Sequence, residues 1–168
     1  MKTISIFGGL AALVAAAAPA GAVTPATQAT ASAKIYKPLT ISFVQNLDFG
    51  TIVLSGAGAW SGQVVSISQA GALTCGTGNV TCSGTPQAAK YHLVGTNNAV
   101  VTVTAPGFNL TSGSNTLAFT PNAPATVNLG GTGSTTGVDF SIGGSITLAS
   151  TTPDGVYSGT FAVTADYQ

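Results

Sequence analysis

The chain has 168 residues, with four lysines, four aspartates, one histidine and neither Arg nor Glu. So few basic residues exclude a phosphate-neutralising face for nucleic acid. A composition rich in Gly, Thr, Ser and Val also lacks the residues from which surface helices are built.

In chain order, Met1 and Lys2 precede an apolar run from Ile4 to Ala18, and Ala20-Gly21-Ala22 fits a small-x-small cleavage pattern. This predicts a secretory signal peptide over residues 1–22. The run is too short for a transmembrane helix, which needs about 20 apolar residues. Residues 23–33, "VTPATQATASA", hold no large apolar side chain after Val23 and predict a flexible extension. Residues 34–168 are expected to form one domain.

From Lys34 the apolar residues alternate, which predicts strands and excludes a disordered tract. Lys34–Val44 places Ile35, Leu39, Ile41 and Phe43 on one face, with Pro38 marking an edge or a bend. Leu47–Leu54 and Gly62–Ser68 follow. "CGTGNVTC" (Cys75–Cys82) predicts a Gly-rich hairpin tip. Export into an oxidising compartment predicts a Cys75–Cys82 disulfide, because His92 alone cannot complete a metal site with two Cys. Ala89–Thr96 and Ala99–Ala105 flank Asn97-Asn98, a turn signal. "FNLTS" and "NTLAFTP" straddle a Gly-Ser turn, and three further strand segments lead to "GVYSGTFAVTADYQ". Turn signals every eight to twelve residues predict an all-β antiparallel sandwich of nine or ten strands. In the last strand Phe161, Val163, Ala165 and Tyr167 share the apolar face.

Candidate chemistry is sparse. A Ser–His–Asp triad would have to use His92, which is expected on a strand surface. The four aspartates are scattered, and Asp154 falls in the turn "TPDG". The Gly-rich segments join no strand to a helix, so they form no phosphate cradle. Asn79-Val80-Thr81 and Asn109-Leu110-Thr111 are formal glycosylation sequons. Trp60 is expected to cap one end of the sandwich and not to serve as an exposed ligand platform. No catalytic residue, metal or cofactor is expected.

"LDFGTIV" (Leu47–Val53) resembles the segment that opens the body of fimbrial and spore-coat-U-like subunits. The end resembles the terminal motif of chaperone–usher pilins: Gly155 stands fourteenth from the end, Tyr167 is penultimate, and Phe161 and Val163 fill the alternation between them. The pattern from about Ala31 to Gln168 also resembles a family of small exported bacterial proteins catalogued only as a domain of unknown function. The pilin resemblance implies an immunoglobulin-like sandwich short of one strand, with the last strand bordering an open groove. A periplasmic chaperone would cover that groove, and a neighbouring subunit's N-terminal strand would then replace it. A tail beyond Tyr167 would interfere with the docked strand.

The expected function is therefore a non-catalytic subunit of a surface filament or coat, exported through the periplasm and assembling with itself by strand exchange. A periplasmic chaperone and an outer-membrane usher are the implied partners. The donor is expected at about Ala29–Leu39, with Ile35 and Leu39 as apolar residues, against an acceptor of Gly155, Phe161, Val163, Ala165 and Tyr167. The alternative is a complete sandwich acting as a monomeric exported binding module, with carbohydrate as the candidate ligand, using Trp60 and one of Tyr36, Tyr91 or Tyr157. Periodicity alone does not separate the two.

Overall fold

The longest strand organises the others. Val138–Leu148 (β11) spans 11 residues and alternates on either side of a buried Gly143, with Phe140, Ile142, Ile146 and Leu148 buried and Asp139 and Thr147 exposed. Its first half, through Ile142, pairs with Ala89–Val94 (β6). Its second half lies between Gln63–Ile67 (β3) and Asn115–Asn122 (β9). The change of neighbours falls at Gly143-Gly144. A Cβ on Gly143 would meet the carbonyl of Ile67, and one on Gly144 would meet the ring of Phe119, so both positions need the missing side chain.

Thr40–Gln45 (β1) outside β6, Leu73–Thr74 (β4) outside β3, and Phe108–Ser112 (β8) outside β9 complete a seven-stranded sheet. Thr126–Asn128 (β10), Val100–Thr104 (β7) and Thr164–Tyr167 (β12) form a three-stranded sheet, and Thr51–Leu54 (β2) pairs with Val80–Ser83 (β5). The computed structural model describes residues 27–168. Among these the architecture is all-β, every strand pairing is antiparallel, and no helix is long and apolar enough to cross a membrane. The expected signal peptide lies outside the described residues.

Two buried clusters hold the unit Ile35–Gln168 together. The first joins Val65, Ile67, Phe119, Ile146 and Leu148 of the large sheet with Phe49 and with Val80 of β5. The second sets Leu93, Phe140 and Ile142 of the large sheet against Val101, Val103 and Val127 of the three-stranded sheet, with Leu129. Phe161 spans the two. It stacks on Phe108 (centroids 5.4 Å apart) and lies 5.8 Å from Phe119, while meeting Tyr91 edge-on at 6.5 Å.

Several local expectations change in detail. The first strand starts at Thr40, not Lys34, because Lys37 and Pro38 are not laddered. The Lys37 N–H donates to Thr96 Oγ1 (2.6 Å) and its carbonyl accepts from the Tyr167 hydroxyl (2.8 Å). The Asn97-Asn98 turn, with Asn98 at φ 57°, does not close a hairpin; it carries the chain from β6 in one sheet to β7 in another. The Cys75–Cys82 disulfide is present, with Cα atoms 6.0 Å apart, but it does not staple a hairpin tip. Cys75 follows β4 of the large sheet and Cys82 lies in β5, so the bond ties the β2–β5 pair to the large sheet. The terminal ladder covers only Thr164–Tyr167, although the expected alternation of half-buried and exposed side chains runs unbroken from Phe161 to Gln168.

Candidate functional site: a groove between two open edges

The segment "LDFG" builds one wall. The Asp48 carboxylate accepts the Gly50 N–H (2.8 Å), and Gly50 takes φ 73°, a conformation that favours glycine. Its Cα lies against the carbonyl of Ser83, where a Cβ would collide. This turn drives Phe49 into the first cluster, edge-to-face with Phe119 at 6.1 Å, and sends the chain into β2. Ile52 and Leu54 of β2 are half-buried, whereas Thr51 and Val53 are exposed. One edge of β2 pairs with β5; among the described residues no strand pairs with the other.

The opposite wall is the irregular stretch from Ser150 to Gly159. Ser158 exchanges two backbone hydrogen bonds with Thr111 of β8 (2.8 and 3.0 Å), its only bridge to that strand. The Tyr157 hydroxyl donates to the Pro153 carbonyl (2.9 Å), closing a local turn. Gly155 has φ 151°, and a Cβ there would meet Ser112 Oγ, so this bend also requires glycine. The two walls are joined at one end through Trp60. Its carbonyl accepts from the Ser150 N–H (2.9 Å), and its indole N–H donates to the Ser55 carbonyl (3.2 Å).

Between these walls runs a groove of about 1250 Å³. Its floor is the first cluster: Leu110, Leu117, Phe119, Ile146 and Leu148, with Phe108 and Phe161. Two carboxylates, Asp48 and Asp154, are the only charged side chains among the described residues that line it. It therefore combines an apolar floor, a wall strand β2 that is paired along one edge only among the described residues, an irregular wall held by a single bridge to β8, and two carboxylates.

The structure divides the expected acceptor residues. Gly155 and Phe161 border the groove. Val163, Ala165 and Tyr167 pack on the second cluster, away from it. Leu39 packs there too. A Cβ on Gly95 would meet Leu39, Leu129 and the Tyr167 hydroxyl together, so these three converge on that glycine. Ile35 is 87% exposed. Sequence reasoning missed the second wall, because "STTPDGVYSG" has too few apolar residues to signal an element. It also read β2 as an ordinary strand, since an unpaired edge leaves no mark in side-chain periodicity.

Elsewhere among the described residues, the polar side chains pair locally. His92 Nδ1 lies 2.6 Å from Asp139 Oδ1 across β6 and β11. Ser42 sits opposite His92 in β1, yet its hydroxyl is directed to the His92 carbonyl (3.5 Å) and not to the imidazole. No group of three potential metal ligands occurs among the described residues. Burial holds the Tyr91 hydroxyl above its ordinary pKa. Trp60 is part-buried against the first cluster, the placement expected of a capping residue.

Residues 39–167 match the family model described as Domain of unknown function (DUF4402), and the chain belongs to that family. No curated protein and no solved structure matches the chain.

Proposed function

We propose that this DUF4402 member is a non-catalytic structural subunit of a bacterial surface filament or coat, assembled by β-strand complementation. On this reading the fold is an immunoglobulin-like, pilin-like sandwich short of one strand. The signal peptide exports the chain through the periplasm, where a chaperone covers the groove until an N-terminal segment of the next copy replaces it at the usher.

The observation that carries the proposal is the groove between β2 and residues 150–159. An unpaired edge over an apolar floor is an aggregation hazard unless something covers it. An extended segment laid between these walls gains main-chain hydrogen bonds worth about 0.5–1.5 kcal/mol each. Its inward side chains reach Phe108, Phe119 and Phe161. Backbone pairing of this kind supplies affinity, and the alternate side chains supply specificity. A binding module using Trp60 as a platform has less support, since the indole N–H is already bonded and the ring packs on the core.

Negative-stain microscopy with labelled antibody on material sheared from producing cells tests this. Filaments or sheets labelled along their length are expected. Recovery of the chain only as a soluble monomer, with no labelled assembly, contradicts the proposal.

A further inference from the structure

The charges of this chain are too few to be scattered without consequence. Two of its four aspartates, Asp48 and Asp154, line the groove, and no lysine or histidine among the described residues does. The N-terminal segment shows the reverse: residues 27–37 carry Lys34 and Lys37 and no acidic residue. Ile35, beside Lys34, is the most exposed of the large apolar side chains among the described residues.

Resting on the strand-complementation reading, we propose that the groove is occupied by residues 27–35 of a second copy, and that Lys34 of that copy pairs with Asp48 to fix the register of the inserted strand. In an extended strand alternate residues face opposite ways. With Ile35 on the apolar floor, Ala33, Ala31 and Ala29 face the floor behind it, and Lys34 points outward to the rim. Asp48 is exposed on that rim, at the end of its wall remote from Ser55. The Ser55 end is tied through Trp60 to Ser150. An inserted strand that continues into its own domain at Tyr36 therefore leaves by the Asp48 end, which brings Lys34 beside that carboxylate. One carboxylate oxygen of Asp48 accepts the Gly50 N–H, which orients the group on the rim. A one-residue slip would turn Lys34 to the floor and Ile35 to solvent. The charge pair and the apolar anchor therefore select the same register.

The test is a double-mutant cycle. The acceptor is the full-length Ile35→Asp chain, in which self-insertion is blocked, and the probe is an amidated synthetic peptide spanning residues 27–36. Lys34→Ala in the peptide is expected to weaken binding about two- to fivefold at low salt, the range of an exposed ion pair. Asp48→Asn in the acceptor keeps an oxygen for the Gly50 N–H and should cause the same loss. The two together should lose no more than either alone. Asp154→Asn should leave the Lys34 effect intact. Independent, multiplying losses, or coupling to Asp154 instead of Asp48, overturn the assigned pair. If Ile35→Ala in the peptide weakens binding while Lys34→Ala does not, the charge pair alone fails. If the unmodified peptide does not bind, or binds no better than the Ile35→Ala peptide, the occupant assignment and the strand-complementation reading both fail.

Discussion

Tyr36 and Tyr167 stack face to face, with ring centroids 4.3 Å apart and planes 5° from parallel. The contact joins residues 131 positions apart in sequence and is reinforced on both sides. The Tyr36 hydroxyl donates to the Gln168 carbonyl (3.0 Å); that of Tyr167 donates to the Lys37 carbonyl and accepts the Thr96 N–H (2.8 Å each). Residues 36–39 are therefore fastened to the chain's own last strand, which limits any donor segment to residues before Tyr36.

Tyr167→Phe keeps the stacked ring and removes the hydroxyl, leaving the Thr96 N–H and the Lys37 carbonyl without that partner. A loss of about 1–2 kcal/mol is expected, since each lost hydrogen bond is worth about 1 kcal/mol. Tyr36→Ala removes the stack as well as a hydrogen bond and should cost at least as much. Urea unfolding of both variants checks this, with an unchanged midpoint for Tyr167→Phe as the contrary result.

Gly144 lies in the middle of β11, with the Phe119 ring where a Cβ would stand. Gly144→Ala is expected to destabilise by about 1–3 kcal/mol through overpacking, against the usual gain from replacing a strand glycine. Thermal melting decides the sign; a raised Tm would show that Phe119 has another place to go.

The Cys75–Cys82 bond closes a short loop, for which chain entropy gives about 2–3 kcal/mol. Because it ties β5, and through β5 the groove wall β2, to the large sheet, its loss should act unevenly. In a Cys75→Ala, Cys82→Ala variant, amide exchange at Thr51–Leu54 and Val80–Ser83 should accelerate more than exchange in β11. Uniform acceleration would mean that the bond stabilises the domain without positioning that wall.

The alternation of the last eight residues was legible to the residue: Phe161, Val163, Ala165 and Tyr167 are half-buried, and Ala162, Thr164, Asp166 and Gln168 are exposed. What periodicity did not reveal is which strand lies beside them, since side-chain alternation reports the pleat and not the hydrogen-bonded neighbour. Hence β12 is shorter than its pattern, and Phe161 faces a groove while Val163 faces the second cluster. Phe43 makes the same point. It shares a row with Tyr91 and core residue Phe140, yet at the sheet edge it is 59% exposed, because periodicity fixes a face and not a depth. The nearness of Cys75 and Cys82 followed from their spacing, but their membership of different sheets depends on which strands their neighbours pair with: Leu73 and Thr74 join Ile67 and Ser66 close by, whereas Cys82 lies in a strand paired with Thr51–Leu54, far away in sequence. The groove was the least legible feature, as its walls are about a hundred residues apart and one of them is irregular.

Tyr91 is a local reporter of the aromatic junction around Phe161. Burial disfavours its phenolate and raises its pKa in the folded state. The folded state thus holds this proton more tightly than the unfolded chain. The resulting stability is fully present below about pH 10, the ordinary tyrosine value, and is lost as pH rises through the raised one. The Tm should fall with pH in that range, and Tyr91→Phe should flatten the fall. An equally steep fall in the variant would place the titration elsewhere.

The central claim is that an N-terminal segment carrying Ile35 completes the groove of another copy, and Ile35→Asp tests it most directly. Ile35 is 87% exposed, so the substitution should leave a folded, disulfide-bonded monomer with an unchanged Tm. Placing a carboxylate on the apolar floor is costly, so electron microscopy of material from cells producing the variant should show no assemblies, against abundant ones for the unaltered chain. Assemblies of normal length and number from the Ile35→Asp chain would contradict the account.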